Sequence, residues 1–480
     1  MASFTFNGER RDYLVVLKGR KRPPWAPVQR NILKVPGLPG GYLQSTETDV
    51  RVLEVPVFIK GNNLTHLQRV KEDLAAWLVT DESKELIFDD DPTRTYYAVV
   101  DDTVDFEEIV KFGKGTIKFI CPDPYVYGPE QTVDIPYDGN EQTVIVQNNG
   151  SAPTYPKFTV TFNQPTTFLD IITPSDYMRI GKPISVQETA VEKEQIVLDD
   201  NMSTLSGWGA ATYVDDGVVT GTMSSNGNDF NASDYGTGTG WHGPAVKKSL
   251  SETIQDFRVE AYLKQHTASP NLIGRAEVYL LDANNAVIAK IAMMDAWAGV
   301  ASNKAEVRLG DTTSPHYMVN TTGKTKTWWN DFQGVIKLTR IGKRFTAYIA
   351  NITKDGRNKH FRTWFVGYTD VDEKYQMPLA QVQLHLGAYG TYPRTTQAFQ
   401  RIRVYKINQN TEGGIPYIAT AGDVIEIDHA QNSILKNGEP FLSAKDFGAN
   451  FFALERGQTE IAVNPAGIAT VEMTYRERWR

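Results

Sequence analysis

LDDNMSTLSGWGAATYVDDGVVTGTMSSNGNDFNASDYGTGTGWHGP, residues 198–244, decides how this chain is divided. Up to that point apolar runs alternate with charged turns. Here Gly, Ser, Thr, Asn and Asp crowd around Trp208 and Trp241, as they do where a new β-rich region begins.

The flanks show why the stretch reads as the start of an insertion. Upstream, from about Val133, the pattern is all-β: TVIVQNNG and YPKFTVTF alternate as strands, and the strand-rich FLDIITPSDYMRIGKPI follows and breaks off near Glu192. Its continuation lies more than two hundred residues later. GDVIEIDHAQNSILKNGEPFL reads as two strands joined across Asn437-Gly438, and NFFALERGQTEIAV and GIATVEMTYRERW supply further strands. Neither piece has enough strands for a sandwich, but together they make one small β domain.

The region before it is mixed. VRVLEVPVFI, residues 50–59, alternates as a strand. In NNLTHLQRVKEDLAAWLVTDE the residues Leu64, Leu67, Val70, Leu74, Trp77 and Leu78 fall on one helical stripe, and Thr65 to Gln68 fits a capping box. Strands separated by Asp-Pro and Gly-rich turns follow, so one helix on an antiparallel sheet is expected. The division is then 1–132 for an α+β domain, 133–195 with 411–480 for a split β-sandwich, and 196–410 for the insertion.

With 480 residues, about three domains fit the usual domain size. The composition, 41% hydrophobic and 22% charged without an apolar run long enough for a bilayer, reads as soluble and not membrane-inserted. The opening MASFTFNGERRDYL has no apolar core of a secretory leader, and the single Cys121 leaves no disulfide framework, which fits assembly in a reducing cytoplasm. A net charge of -7 gives no footprint for nucleic acid. Charge is uneven: Arg10, Arg11, Lys18, Arg20, Lys21 and Arg22 cluster near the start, whereas Asp81 to Glu108 is rich in carboxylates. The two are either solvated surfaces or faces that meet between neighbouring copies.

Several separated motifs carry a family resemblance. FNGERRDYLVVLKGRKRPPWAP, PGLPGGY, LAAWLVTDESKELIFDDDPTRTYYAVV, ICPDPYVYG, GDVIEID, ILKNG, FFALERGQTEIAV and TYRERW, in that order, resemble the distal tail proteins of siphophages infecting Gram-positive bacteria. The resemblance spans nearly all of 1–195 and 411–480. It implies that the first domain forms a homo-hexameric ring under the tail tube protein, with a tail-associated lysin or fibre hub protein as a further partner. It also implies that the split domain is a galectin-like sandwich, and that the location is the tail tip of the virion. The insertion resembles that of the "evolved" members, which carry a carbohydrate-binding module for a host cell-wall saccharide. For ring contacts, the segment around Arg20, Lys21, Arg22 and Trp25 is the candidate.

The insertion supports this on its own terms. It holds six of the nine tryptophans: Trp208, Trp241, Trp297, Trp328, Trp329 and Trp364. Aromatic faces stack on pyranose C–H faces, although large sandwiches also bury tryptophan. Strand parity sets Arg258, Glu260, Tyr262 and Lys264 opposite Phe257, Val259, Ala261 and Leu263. It also sets Glu277 and Tyr279 opposite Ala276, Val278 and Leu280, and Gln381, Gln383 and His385 opposite Val382, Leu384 and Leu386. An outer face of amides, charges, an imidazole and tyrosines suits a concanavalin-like jelly roll that binds sugar; an ordinary solvated face fits as well. The fold class expected is therefore mainly β with one α+β part. The candidate saccharide site comprises Trp241, His242, Tyr235 and Asp229 around a mobile GTGTGWHGP rim, Trp297, Tyr389 and Tyr392 in loops, and Tyr279, Gln383 and His385 on the outer face.

Signals for catalysis fail. Gly238, Gly240 and Gly243 fit a dinucleotide spacing but follow a polar loop and precede Pro244. Gly323-Lys324-Thr325 lacks the first glycine of a phosphate loop, Met318 standing there. The seven histidines never pair at metal-ligand spacing, so neither a metal nor a cofactor is expected. Asp199, Asp200, Asp215 and Asp216 leave calcium open. Glu260, Glu277, Asp229 and Asp295 keep one alternative alive, a tail-associated glycoside hydrolase, since that chemistry needs only two facing carboxylates. The expectation is a non-enzymatic adhesion module.

Overall fold

The computed structural model describes residues 3–109, 111–185, 189–354, 358–408 and 414–480. The boundary expected at 410/411 lies outside the described residues. The chain forms two compact units: residues 1–181 with 419–436 and 440–480, and residues 182–418 with 437–439.

The first unit is built on a long antiparallel sheet. Arg51–Lys60 alternates buried and half-buried residues along its length, and it pairs with Phe112–Cys121 on one side and Leu14–Val16 on the other. The helix Leu64–Leu78 buries Leu67, Val70, Leu74, Trp77 and Leu78 against this sheet region. Its first turn departs from the sequence reading. Asn63 is the N-cap, its side chain accepting the His66 N–H at 2.8 Å, so Thr65 does not start a capping box. Leu64, one residue past the cap, is consequently exposed. Trp77 fixes the helix: its ring stacks on Phe4 at 5.5 Å and its indole N–H donates to the Phe6 carbonyl at 3.0 Å.

The uneven charge is neutralised within the chain. Arg10 pairs with Asp89 at 3.0 Å, Arg20 and Arg22 reach Asp90 at 3.0 and 3.3 Å, and Lys21 meets Glu54 at 2.6 Å. The basic segment proposed for ring contacts is thus largely engaged by its own unit. Trp25 remains exposed. So does a two-stranded arm, Val28–Leu33 with Tyr42–Thr48, every residue of which faces solvent.

Val126–Ile135 carries the sheet onward by pairing with Ala469–Trp479, which pairs in turn with Lys157–Phe162, followed by Val424–Asp428 and Ser433–Lys436. A four-stranded sheet of Thr143–Asn148, Gly457–Asn464, Phe168–Ile172 and Tyr177–Gly181 completes the sandwich expected from the two separated pieces. Between the strands that carry Ile427 and Ile434 lies a second turn, His429 to Asn432, in addition to Asn437-Gly438, whose φ values of 51° and 83° are those a tight hairpin needs.

The second unit is a sandwich of two antiparallel sheets. One runs from Thr222–Ser225 through Phe230–Asp234, Thr396–Ile407, Phe257–His266, Asp331–Ile341 and Arg344–Ile352 to His360–Thr369. The other runs from Gly209–Ala210 through Ala245–Ile254, Leu379–Tyr389, Gly274–Leu281, Val287–Asp295 and Lys304–Leu309 to His316–Thr321. Val259, Ala261 and Leu263 of the first meet Ala276, Val278, Leu384 and Leu386 of the second in one core. Its entry and exit strands, Thr189–Val191 and Gly414–Pro416, pair in parallel, so both ends of the insertion lie side by side. A domain with adjacent ends is accommodated at one place in a host fold without stretching it.

His429 makes the first unit sensitive to acid. Its ring is buried against Phe452, 4.1 Å between centroids, and its Nδ1 accepts the Phe452 N–H at 2.8 Å. Burial pushes its pKa down from 6.5 to about 4. The unfolded chain therefore binds this proton at higher pH than the folded one. Its contribution to stability is full above about pH 6.5 and is lost as pH falls toward about 4, by about 3 kcal/mol at the lower limit. The urea midpoint of the first unit is expected to fall between about pH 7 and about pH 5, and His429→Gln to flatten that slope. Equal slopes in the two proteins would refute the assignment.

Candidate functional site

Where each tryptophan of the insertion lies depends on which side of the sandwich its strand turns it to. Trp329 is fully buried, and Trp208, Trp328 and Trp364 are partly buried against the core. Trp208 also donates its indole N–H to Asp200 at 2.9 Å. Trp241 is likewise partly buried, though it is not part of that core, and Trp297 is 53% exposed.

Both lie at the same end of the second sheet. Trp241–Gly243 is a short strand, correcting the expectation of a mobile loop: it pairs in parallel with Gly217–Val219 and antiparallel with the end of Leu379–Tyr389. Trp241 is the register partner of Tyr389, their rings 5.2 Å apart edge to face, and Tyr392 lies 6.3 Å beyond Tyr389. Across the same end, Arg275 pairs with Gly387 and with Met294, and Met294 with Lys304. The Arg275 guanidinium lies 4.5 Å from the Trp241 ring, and Lys304 Nζ 5.6 Å from the Trp297 ring. Cations against indoles hold the rings in place without covering both faces. The result is an aromatic edge of Trp241, Tyr389 and Tyr392, with Trp297 on the strand end two partners away.

The remaining candidate residues lie elsewhere. Asp229 pairs with Lys264 at 2.8 Å in a turn of the opposite sheet. Tyr235 is buried in the sandwich core with Arg394 above its ring. His242 is buried, its Nδ1 2.9 Å from the Gly240 carbonyl. Tyr279, Gln383 and His385, expected on an open outer face, are buried as well. The physical reason is a cover the strand pattern does not reveal. The segment Ala211–Val219 crosses that face, with Ala211 and Val214 packed on Tyr279, Leu281 and Val287.

Under this cover lies a charge network that parity alone only half indicated. The Glu277 carboxylate is within 3.2 Å of Arg275 Nε, 3.1 Å of Lys290 and 2.8 Å of His385 Nδ1, and accepts the Tyr279 hydroxyl proton at 2.8 Å. Burial alone would raise its pKa, but Arg275 and Lys290 hold it well below the ordinary glutamate range. Burial lowers the pKa of His385. Lys290 also reaches Glu306 at 2.8 Å, and Arg308 reaches Asp215 at 2.6 Å. The signal for these missed residues was present in VIAKIAMMD, where Lys290 is a single charge inside an apolar strand, and in KAEVRL, where charges recur at alternate positions.

Three of the four carboxylates weighed for hydrolysis are held by cations. Glu277 is locked in this network, and Glu260 is held by Lys337 at 2.9 Å and Arg258 at 3.0 Å. Asp229 is tied to Lys264, and Asp295 is buried and accepts the Ser302 N–H at 2.9 Å. Of the acids that left calcium open, Asp199 pairs with Arg401, Asp200 with Lys248 and Asp215 with Arg308. Among the described residues no cluster of three His, Cys, Asp or Glu side chains could hold a metal ion, and no helix is long and apolar enough to cross a membrane.

Comparison with known proteins agrees with this architecture. Residues 11–121 match the phage tail protein RIFT-related domain, and residues 386–479 the siphovirus-type tail component, C-terminal domain. The distal tail protein of Bacillus phage SPP1 is 29% identical over 186 residues, covering 38% of this chain and 72% of that protein. Among solved structures, SPP1 Dit, a hub of the adsorption apparatus in phages that infect Gram-positive bacteria, is 25% identical over 38% of this chain and 75% of its own, with a TM-score of 0.34. The CBM2 module of the evolved Dit of Lactobacillus casei BL23 phage J-1 is 14% identical, covering 46% of this chain and 99% of its own, with a TM-score of 0.39. With one tail-component domain matched near each end and a distal tail protein aligned over most of its length, the chain belongs to the siphophage distal tail protein family and is a structural component of the phage tail.

Proposed function

We propose that this protein is a non-catalytic hub at the tail tip, assembled in the host cytoplasm, whose first unit forms a homo-hexameric ring and whose inserted module binds a host cell-wall saccharide. The ring joins the tail tube protein to a tail-associated lysin or fibre hub protein. The observation that carries the binding role is the aromatic edge, where the partly buried Trp241 meets the exposed Tyr389 and Tyr392, with the exposed Trp297 and the cations Arg275 and Lys304 beside them. Ring faces for sugar C–H groups and fixed donors for hydroxyls are what a shallow saccharide site requires. Three of the four carboxylates weighed for hydrolysis, Glu277, Glu260 and Asp229, are committed to ion pairs, which favours binding over hydrolysis. One shallow site is weak; six on one ring engage a repeating polymer together, and effective concentration multiplies their attachment.

The ring reading draws on the arm. A two-stranded ribbon exposed on both faces is marginal alone in water. Its stem is polar, with Gln29, Arg30, Asn31, Ser45, Thr46 and Glu47, whereas Ile32, Leu33, Leu38, Tyr42 and Leu43 make its far end apolar. A neighbouring copy in the ring supplies the cover such a tip needs.

Two measurements test these readings. The full chain, labelled and titrated with purified cell-wall polysaccharides of Gram-positive bacteria, should bind saturably and leave the polymer intact. Trp241→Ala should weaken binding by about 1–2 kcal/mol, roughly five- to thirtyfold, with the melting temperature unchanged. Released oligosaccharides would make the module an enzyme instead. For the ring, light scattering should give a hexamer for the wild type and a smaller species for Leu38→Asp. An unchanged mass would remove the arm from the interface.

A further inference from the structure

The segment that hides the outer face of the second sheet contacts it as a ligand would. Asp215 uses all three of its polar groups on the face: its carboxylate on Arg308 at 2.6 Å and Lys290 at 3.1 Å, its carbonyl on Arg275 Nη2 at 2.7 Å, and its N–H on the Tyr279 hydroxyl at 3.0 Å. Next to it, the Tyr213 carbonyl accepts from Gln383 Nε2 at 2.7 Å. Between Ala210 and Gly217 the segment belongs to no strand, and Asp216 at its end takes a φ of 50°. It is held to the sheet mainly by these side-chain contacts and by Ala211 and Val214.

Without Asp215, the face presents Arg275, Lys290 and Arg308 against Glu277 and Glu306, an excess of one positive charge around the Tyr279 ring. Among the described residues, four buried atoms of this face lack a hydrogen-bond partner even with the segment in place, of which Arg275 Nε and Glu306 Oε1 still lie in ion pairs at 3.2 and 2.8 Å. The other two are Arg308 Nη2 and His385 Nε2. An unpaired guanidinium N–H beside a carboxylate site is a donor to spare for a group with more acceptor oxygens than the Asp215 side chain has.

We propose that residues 211–216 stand in for an oxyanion-bearing ligand, and that the face beneath them binds phosphate or carboxylate groups of a cell-wall polymer, which displaces Asp215 from Arg308 and Lys290. The site then continues from the aromatic edge, since Arg275 touches both the Trp241 ring and the Asp215 carbonyl. The identity of the displacing polymer rests on the saccharide-binding reading. The anion site does not.

The test uses the full chain and its Asp215→Ala variant, melted in inorganic phosphate, glycerol phosphate, D-glucuronate, and chloride at matched ionic strength. The variant should show a saturable rise of about 3 °C or more with an oxyanion, beyond chloride, at concentrations that leave the wild type unmoved. A larger rise with glycerol phosphate assigns the ligand to a phosphodiester polymer, and a larger rise with glucuronate to a uronate polymer. No rise beyond chloride in the variant would overturn the proposal. If the variant does not fold, amide exchange of the wild type decides: faster exchange confined to 211–219 on adding the oxyanion supports displacement, and unchanged exchange overturns it. Anion binding by the variant without polymer binding by the wild type would refute the saccharide reading alone. Polymer binding without any oxyanion response would refute the stand-in alone.

Discussion

The ladder on both sides of Lys157–Phe162 is the constraint on which the rest of the structure depends. This strand pairs with Val424–Asp428 on one edge and with Ala469–Trp479 on the other, so Phe158 faces Ile427 and Met473 although more than 250 residues separate it from either. A central strand cannot leave its N–H and C=O groups unpaired in a buried sheet. Whatever lies between residues 182 and 418 must therefore return the chain to where it departed. The inserted unit meets this requirement with the parallel pair Thr189–Val191 and Gly414–Pro416. Its own two sheets close around a separate core.

Within the insertion the decisive balance is between burying charge and satisfying it. Removing Arg275, Glu277, Lys290, Glu306 and Arg308 from water is costly unless each finds partners. The network supplies them, Glu277 alone meeting two cations, an imidazole and a phenol. That degree of pairing fixes the strand register of four neighbouring strands and gives the covering segment a defined seat through Asp215. The same economy separates binding from structure in this module. Charges committed to one another hold the sheet rigid, and the exposed rings at its end are left to meet a ligand.

Charge in the first unit follows a comparable logic at the surface. The basic cluster near the start and the carboxylates from Asp81 onward meet within one chain, through Asp89, Asp90 and Glu54. Exposed ion pairs of this kind add little stability, but they orient the segment from which the arm projects.

Much of this was legible in the residues. The helix from its apolar stripe, the split sandwich from alternating strands with missing partners, and the start of the insertion from a change in composition all follow from local periodicity and turn chemistry, which depend on neighbours in sequence. The end of the helix cap was misread because Asn63 and Thr65 both have a side-chain oxygen able to accept, and only backbone geometry chooses between them. The candidate site was legible in part. Trp241, Trp297, Tyr389 and Tyr392 were identifiable as aromatics, though read as lying in loops, and strand pairing brings the first, third and fourth together. Tyr279, Gln383 and His385 were placed on the correct face of their strands, but alternation reports which side a residue faces and not what lies above it. The sequence by itself determined the long alternating strands and which way their residues point. Only the tertiary structure decided that Ala211–Val219 folds back over one sheet face, because that choice rests on contacts between Asp215 and residues 60 to 93 positions away, a distance at which no local pattern carries information.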